Sequence, residues 1–461
     1  MLKKPFVIFY LFIWITSCTA QKTVYNNPPL VLTENELSDG LGSFKTDDLP
    51  SVTPKIGLSL IDDATPIMAK MFKIALNDIE QNIVKNEVGT YFAAGRRYTD
   101  KVYTRDIAFA GILALNTIFP EEMKKSLMIT REVRGKLGHK VSAEHVIPEI
   151  NVPWEVISDH EPDVMAQYKT NSYTRRTDDV VWIWAVDDLF EKNPDIADWK
   201  WFYTTGKENF ERFYDPWFDP KDGLFRAQPT FQDIASNGGY PKGMTIADCV
   251  LLKGTSTNCM YYKAMLAMAN AAKKNNLNDE AKNWLVRAEK LKKAILKELV
   301  LPDGTLTYFK DRYGKVINNQ HNLGTAFAVL FDIVEGKAAK KAIDNYPMTE
   351  FGTPLIHPFL EGGKGDHNAA SWPFCDTFFL QAKEKADKKD HTGYNAAVLA
   401  RTMGTKLSEK RNKDWGGFGS FHEKVVLPSG LISGSGQQLW TSAAFINICL
   451  RANLVNLKTI N

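Results

Sequence analysis

A chain of 461 residues with 44% hydrophobic and 24% charged side chains can hold one large domain or two to three ordinary ones, and general disorder is excluded. Its formal net charge of +3 gives neither the basic footprint of a nucleic-acid binder nor the field that a strongly acidic substrate needs. The aromatic share of 11% is generous, and ring faces suit the apolar faces of sugars as well as a core.

The first residues, MLKKPFVIFYLFIWITSCTAQK, carry Lys3 and Lys4, an apolar run from Phe6 to Ile15, and then small residues. The run is too short to cross a bilayer and has the flanks of an export signal. Residues 1–20 are therefore expected to be a signal peptide. The protein is expected to work outside the cytoplasm, in the periplasm or at the outer membrane. The stretch ending at Cys18 resembles the lipobox of bacterial lipoproteins, which makes Cys18 the expected acylation site and a lipid anchor the expected membrane attachment. Cleavage after Ala20 is the competing expectation. The remaining cysteines, Cys249, Cys259, Cys375 and Cys449, are scattered among apolar residues without the spacing of a zinc site.

Residues 21–60 are polar with several Pro and Gly, and read as a tether with a leading loop or strand. From residue 61 to 461 helical periodicity recurs, at 66–86, 105–118, 120–135, 177–193, 196–214, 255–275, 279–299, 321–336, 337–345, 372–386, 391–410 and 436–455. Convincing strand alternation is scarce. Short connections alternate with long ones rich in Gly, Pro, aromatics and acids, at 87–104, 136–176, 215–254, 300–320, 346–371 and 411–435. Long loops inside a helical domain are usually functional. Six of them alternating with short turns predict an all-α fold, an (α/α)6 barrel of six helical hairpins with the long loops at one mouth.

The loops supply carboxylates, guanidinium groups, amides and aromatics. AAGRRYTDKVYTRD contains Arg96, Arg97, Tyr103, Arg105 and Asp106, and an Arg-Asp pair can donate to and accept from sugar hydroxyls. NSYTRRTDDV contains Arg175 and Arg176 before Asp178 and Asp179, and PTFQDIASNGG sets Asp233 among aromatics and glycines. HNAASWPF brings His367 and Trp372, and HEKVVLPSGLISGSGQQLW brings Glu423, Gln438 and Trp440. No metal-binding spacing, nucleophile elbow or phosphate loop is present, so no cofactor is expected. The inventory fits acid–base hydrolysis of a sugar acetal, which needs one carboxylic acid and one carboxylate.

The order of these stretches resembles the six-hairpin inverting glycosidases of the trehalase and mannosyl-oligosaccharide glucosidase type, over roughly residues 65 to 455. Their G-G-R-F-x-E-x-Y-x-W-D is similar to AAGRRYTDKVYTRD, with Arg105 in place of Trp, and implies sugar contacts by Arg96, Tyr103, Arg105 and Asp106. TRRTDDV resembles their N-R-S-Q-P-P and places the substrate-binding Arg at Arg176. PTFQDIASNGG is similar to the segment carrying their general acid, which implies Asp233. HNAASWPFCDTFF resembles their Q-W-D-x-P-N-G-W-A-P, with Trp372 aligned. HEKVVLPSGLISGSGQQLW follows the plan of the segment carrying their base, which implies Glu423 on a mobile loop, but the Tyr and Asp that follow E-K in the family are absent. The resemblance implies an exo-acting, inverting enzyme for an α-glucoside in an oligosaccharide or disaccharide. Asp233 would be its protonated acid and Glu423 its ionised base, about 6.5–9.5 Å apart, with Asp178 or Asp179 the next candidate acid. Two other classes stay open: a lyase or sugar epimerase using His357 or His367, and a glycan-binding lipoprotein that needs neither carboxylate.

Overall fold

Helical periodicity from Pro66 onward resolves into two kinds of helix. The computed structural model describes residues 23–86, 89–98, 103–137, 146–147, 152–153, 177–232, 238–244, 246–361, 365–404 and 417–457. Cys18, Arg175, Arg176 and Asp233 lie outside these residues, as does the expected signal 1–20, and the side chains of Asp178 and Asp179 also lie outside the description. The described barrel helices are α1 Pro66–Gln81, α2 104–118, α3 Pro120–Leu137, α4 Thr177–Lys192, α5 199–214, α6 Thr255–Lys274, α7 Asn278–Glu298, α8 Asn322–Leu330, α9 Gly336–Asp344, α10 Pro373–Asp387, α11 Thr392–Arg401 and α12 Leu439–Arg451. The predicted helical runs and these helices coincide in number and order, and differ mainly at their ends.

Helices α6 and α7 show how sequence selects position. Helix α6 is buried almost all round between Thr255 and Ala272. Helix α7 buries Ala281, Trp284, Ala288, Leu291 and Ile295, a single stripe at alternating steps of three and four. A helix apolar all round belongs inside, and a one-striped helix covers it from outside. Accordingly the even-numbered helices form a closed inner ring, each packed on the next and α12 returning to α2, while the odd-numbered helices wrap around it.

Aromatic rings plug the middle of the inner ring. Phe109 of α2 lies 6.1 Å from Phe327 of α8, and 5.4 and 5.5 Å from Phe374 and Phe378 of α10. Trp184 of α4 meets Phe327 and Phe331 edge-on. Each such ring removed from water contributes roughly 1.5–3 kcal/mol, so the barrel has a filled centre. Each long connection leads into an inner helix, which gathers the inner N-termini at one mouth, where their dipoles favour negative charge.

The fold is mostly helical but not purely all-α, which corrects the sequence expectation. Seven small sheets occur among the described residues. The largest is an antiparallel meander of β1 Thr23–Asn27, β2 Leu30–Thr33, β3 Glu36–Asp39 and β4 Gly42–Lys45, within the segment read as a tether. Its Leu30, Leu32, Leu37 and Phe44 are buried in the main core, and it packs on α11. Gly393 of α11 admits that contact, because a Cβ there would come 2.5 Å from the Val24 carbonyl oxygen. The other sheets lie in the long connections, with strands of two to four residues, too short for alternation to register in a sequence. Cys249, Cys259, Cys375 and Cys449 are all buried.

Candidate active site

Four stretches meet at the mouth: 95–98 with 103–106 entering α2, 228–232 with 238–244 before α6, 365–374 entering α10, and 421–440 entering α12. Glu423 is the residue immediately before the strand Lys424–Val426, which pairs with Ala370–Ser371 on one side and Leu431–Ser433 on the other. The register sets Lys424 opposite Ser433, so Glu423 faces Gly434. Gly434 has φ +85°, and a Cβ there would lie 2.2 Å from Glu423 Oε2. Only glycine lets the two limbs close around the carboxylate. Where a loop was expected, the two limbs pair in a three-stranded sheet.

Glu423 is 7% exposed, and its carboxylate accepts a hydrogen bond from Ser435 N at 3.1 Å. Burial raises its pKa; the Lys424 ammonium, the Ser435 amide and the Arg97 guanidinium oppose this, and Asp366 adds to it. The donors oppose desolvation without fully offsetting it, so the pKa stands above the ordinary carboxylate value. Lys424 is itself ion-paired with Asp366, and its ammonium lies 4.9 Å from the centre of the Trp372 ring.

The first mouth stretch reaches the same carboxylate. Burial raises the Tyr98 pKa, and the charge of Glu423 is the next cause, followed by an opposing one from Arg97 and smaller raising ones from Asp106 and Tyr103. Tyr98 and Tyr103 meet edge-on at 5.6 Å. Asp106, 5% exposed, accepts from Gln438 Nε2 at 3.4 Å and lies 3.9 Å from Arg105 Nε. Backbone bonds tie the two stretches together, from Arg96 N to Gly436 O at 3.1 Å and from Arg97 N to Ser435 Oγ at 3.1 Å. Arg96 and Arg97 are both exposed, and the Arg97 charge is the smallest of those that act on Glu423.

Aromatic rings form the floor. Phe231 lies 4.4 Å from Trp372, 5.1 Å from His367 and 5.5 Å from Trp440, with the Arg105 guanidinium 5.1 Å from its ring centre. Trp440 stacks on Phe374 at 4.1 Å. Phe231 has φ +74°, a strained conformation for a bulky residue, and such strain concentrates at functional sites. Beside it, Gln232 Nε2 donates to the His367 carbonyl at 3.2 Å and lies 3.4 Å from His321 Nε2. Burial, followed by the nearby His367, lowers the His321 pKa to about 3, so this ring is neutral at ordinary pH.

The structure therefore brings Tyr103, Arg105, Asp106, His367, Trp372, Glu423, Gln438 and Trp440 to one place. His357 stands apart in the ladder opposite Gln320, with its pKa lowered by burial. Sequence reasoning missed Tyr98, Phe231, Asp366 and Lys424, and passed over Arg97 in favour of Arg96. Tyr98 and Lys424 sit inside the quoted stretches, and their adjacency to Arg97 and Glu423 was the available signal.

Residues 253–350 match the family model described as the bacterial alpha-L-rhamnosidase six-hairpin glycosidase domain. No curated protein matches the sequence. Among solved structures, a sialidase is similar at 14% identity and TM-score 0.58 over 83% of this chain, which spans 33% of the sialidase's length. A protein described as a wild-type glycosidase is similar at 13% identity and TM-score 0.55, covering 84% of this chain and 98% of that one. A GH78 family rhamnosidase of Bacillus sp. GL1 is similar at 12% identity and TM-score 0.57, covering 92% of this chain and 37% of that one. At these identities the solved structures speak to the fold, and the domain match agrees with them. The closed ring and its mouth are thus the fold shared with these structures, and over residues 253–350 the chain is similar to a six-hairpin glycosidase domain.

Proposed function

We propose that this protein is an exo-acting, inverting glycoside hydrolase that removes a terminal α-linked hexose, an α-glucoside in the first instance. The observation that carries the reading is Glu423: a buried carboxylate at the mouth, held by Ser435 N and flanked by Lys424 and Arg97. In the proposed reaction Glu423 takes a proton from water on one face of the sugar ring. Asp233, which follows Gln232 in the chain, gives a proton to the departing glycosidic oxygen on the other face. Water attacks the anomeric carbon as the glycosidic bond breaks, and the product has the opposite anomeric configuration. Asp106 and Arg105 would hold hydroxyl groups of the terminal sugar, together with Arg176 and Gln438, while Trp372, Trp440 and Phe231 would pack against its apolar faces.

A second reading replaces glucose by L-rhamnose, and the rhamnosidase domain match over 253–350 favours it. The aromatic floor of Phe231, Trp372 and Trp440 would suit the methyl group of a 6-deoxy sugar. The deciding experiment supplies 4-nitrophenyl α-D-glucopyranoside, α-D-mannopyranoside and α-L-rhamnopyranoside and follows the released anomer by NMR. Release with retained configuration sinks the inverting mechanism. An unsaturated sugar product transfers the protein to the lyases. Export with acylation at Cys18 belongs to the same reading, and absence of labelled fatty acid from the wild-type protein would remove it.

A further inference from the structure

Helix α1 carries two polar side chains on its buried face, Asp78 at 2% and Asn82, its C-terminal cap, at 3% exposure. They are one turn apart and so face the same way. Asp78 Oδ2 accepts from Phe421 N at 3.0 Å and from Ser442 Oγ at 3.4 Å. Asn82 Nδ2 donates to the Gln437 carbonyl at 2.7 Å and to the Asp78 carbonyl at 2.8 Å. Phe421 and Gln437 stand at the two ends of the segment that contains Glu423 and Ser435. Gln438 N donates to the Phe421 carbonyl at 2.9 Å and closes the neck of that segment. Gln437 has φ +50°, a conformation that a residue other than glycine keeps where its surroundings hold it, and the Asn82 bond is such a restraint.

The geometry points to Asp78 and Asn82 as positioning residues for Glu423, a two-point clamp from an outer helix onto the neck of segment 421–438. One point holds the limb that bears the carboxylate, and the other holds the limb that bears its amide donor, Ser435. This rests on Glu423 being the catalytic base. Phe421 is two residues from Glu423, so a displaced neck moves the carboxylate directly, and a misplacement of about 1 Å can cost on the order of 10²-fold in rate. Asp78 contributes as a hydrogen-bond acceptor and not as an ion-pair partner. No cation figures among the influences on its pKa, and burial raises it to about 8. An asparagine there presents the same kind of acceptor to Phe421 N.

The test compares Asp78→Ala, Asn82→Ala and Asp78→Asn in the full chain, with Glu423→Gln alongside, on 4-nitrophenyl α-D-glucopyranoside and α-L-rhamnopyranoside. Amide hydrogen exchange of 421–438 is measured in each. Both alanine variants are expected to lower kcat by about 30-fold with KM within about twofold. They should also move the acid limb of kcat/KM to lower pH, because water reaching Glu423 removes part of the burial that raises its pKa. Exchange in 421–438 should rise. Asp78→Asn should stay within about threefold of wild type, which a requirement for the charge would not allow. Folded alanine variants with wild-type kcat and wild-type exchange overturn the clamp, as does an Asp78→Asn variant as slow as Asp78→Ala. If Asp78→Ala does not fold, Asn82→Ala and Asp78→Asn decide. Full activity in Glu423→Gln overturns the role of Glu423 instead, and exchange alone then decides whether the clamp exists.

Discussion

Two clusters of charge lie in the connections that feed the inner helices, and they treat a buried carboxylate in opposite ways. In the first, Lys253 bonds Asp219 at 2.7 Å and Asp222 at 2.6 Å, Arg226 bonds Asp219 at 2.7 Å, and Lys310 bridges Asp222 and Glu298 at 3.1 and 2.9 Å. Burial works to raise the Asp219 pKa, yet Lys253, the Lys221 amide and Arg226 together bring it below the usual value. In the second, burial of Glu423 wins over Lys424, Ser435 N and Arg97, and its pKa rises. Glu423 lies deeper among protein atoms than Asp219, and the two acids also keep different shares of cation contact. Two cations lie within salt-bridge distance of Asp219, whereas Lys424 beside Glu423 is engaged with Asp366. A matched cluster braces the fold, and an incompletely matched one is poised to exchange a proton.

The largest effect that sharpens this contrast is chemical. Glu423→Gln should keep the fold and lower kcat by about 10³-fold, within the span of general acid–base catalysis, as measured by steady-state kinetics beside a circular dichroism spectrum. Retained activity would dissolve the distinction. In the matched cluster, Lys253→Met should remove the cation shared by buried Asp219 and half-buried Asp222, leaving each with one partner, Arg226 and Lys310, and cost about 2 kcal/mol of stability. The kcat of the folded fraction should remain unchanged, and urea unfolding paired with kinetics reads both. Asp106→Ala should reduce kcat/KM by about 10²-fold, because hydroxyl contacts tighten as the ring flattens toward the transition state. If its kinetics are normal, Asp106 returns to a role at the N-terminus of α2.

The smallest effect concerns pH. Asp78 has its folded pKa raised from 3.8 to about 8, so the folded state holds that proton more tightly than the unfolded chain. Its contribution is fully present below the unfolded value and is lost as pH rises through about 8. Asp78→Asn should therefore flatten the decline of Tm between about pH 5 and 8.5, raising Tm by a few degrees at the alkaline end relative to wild type. An unchanged slope would mean that Asp78 is not the buried acid responsible.

The helical ring was legible in the sequence because each barrel helix is long enough for its apolar spacing to register, as in α7. The small sheets were not, since a strand such as Ala370–Ser371 has no period of its own and is defined by its partner Lys424–Val426. Glu423, Asp106, Trp372 and Trp440 could be selected because each stands in a long connection of unusual composition or in the first turn of the helix it leads into. Asp78 lay hidden in a helix, although its place among Ile74, Ala75 and Ile79 on an otherwise apolar face was a signal of a buried acid. That the charge of Arg97 reaches Glu423 depends on which way a turn points its side chains, and spacing in the sequence does not encode that.

The clamp on Phe421 and Gln437 joins residues 343 and 355 positions apart, and the Gln438–Asp106 bond spans 332. The site is thus assembled from the opening and closing helices of the barrel, with α1 seated against α12. Contacts so distant in sequence form late, after most of the loop-closure entropy has been overcome. A nascent chain that has emerged only as far as α11 holds Arg105 and Asp106 but not yet Glu423, the base of the proposed reaction. Under the proposed function, hydrolysis would begin only when the ring closes, which would tie the onset of activity to completion of the barrel.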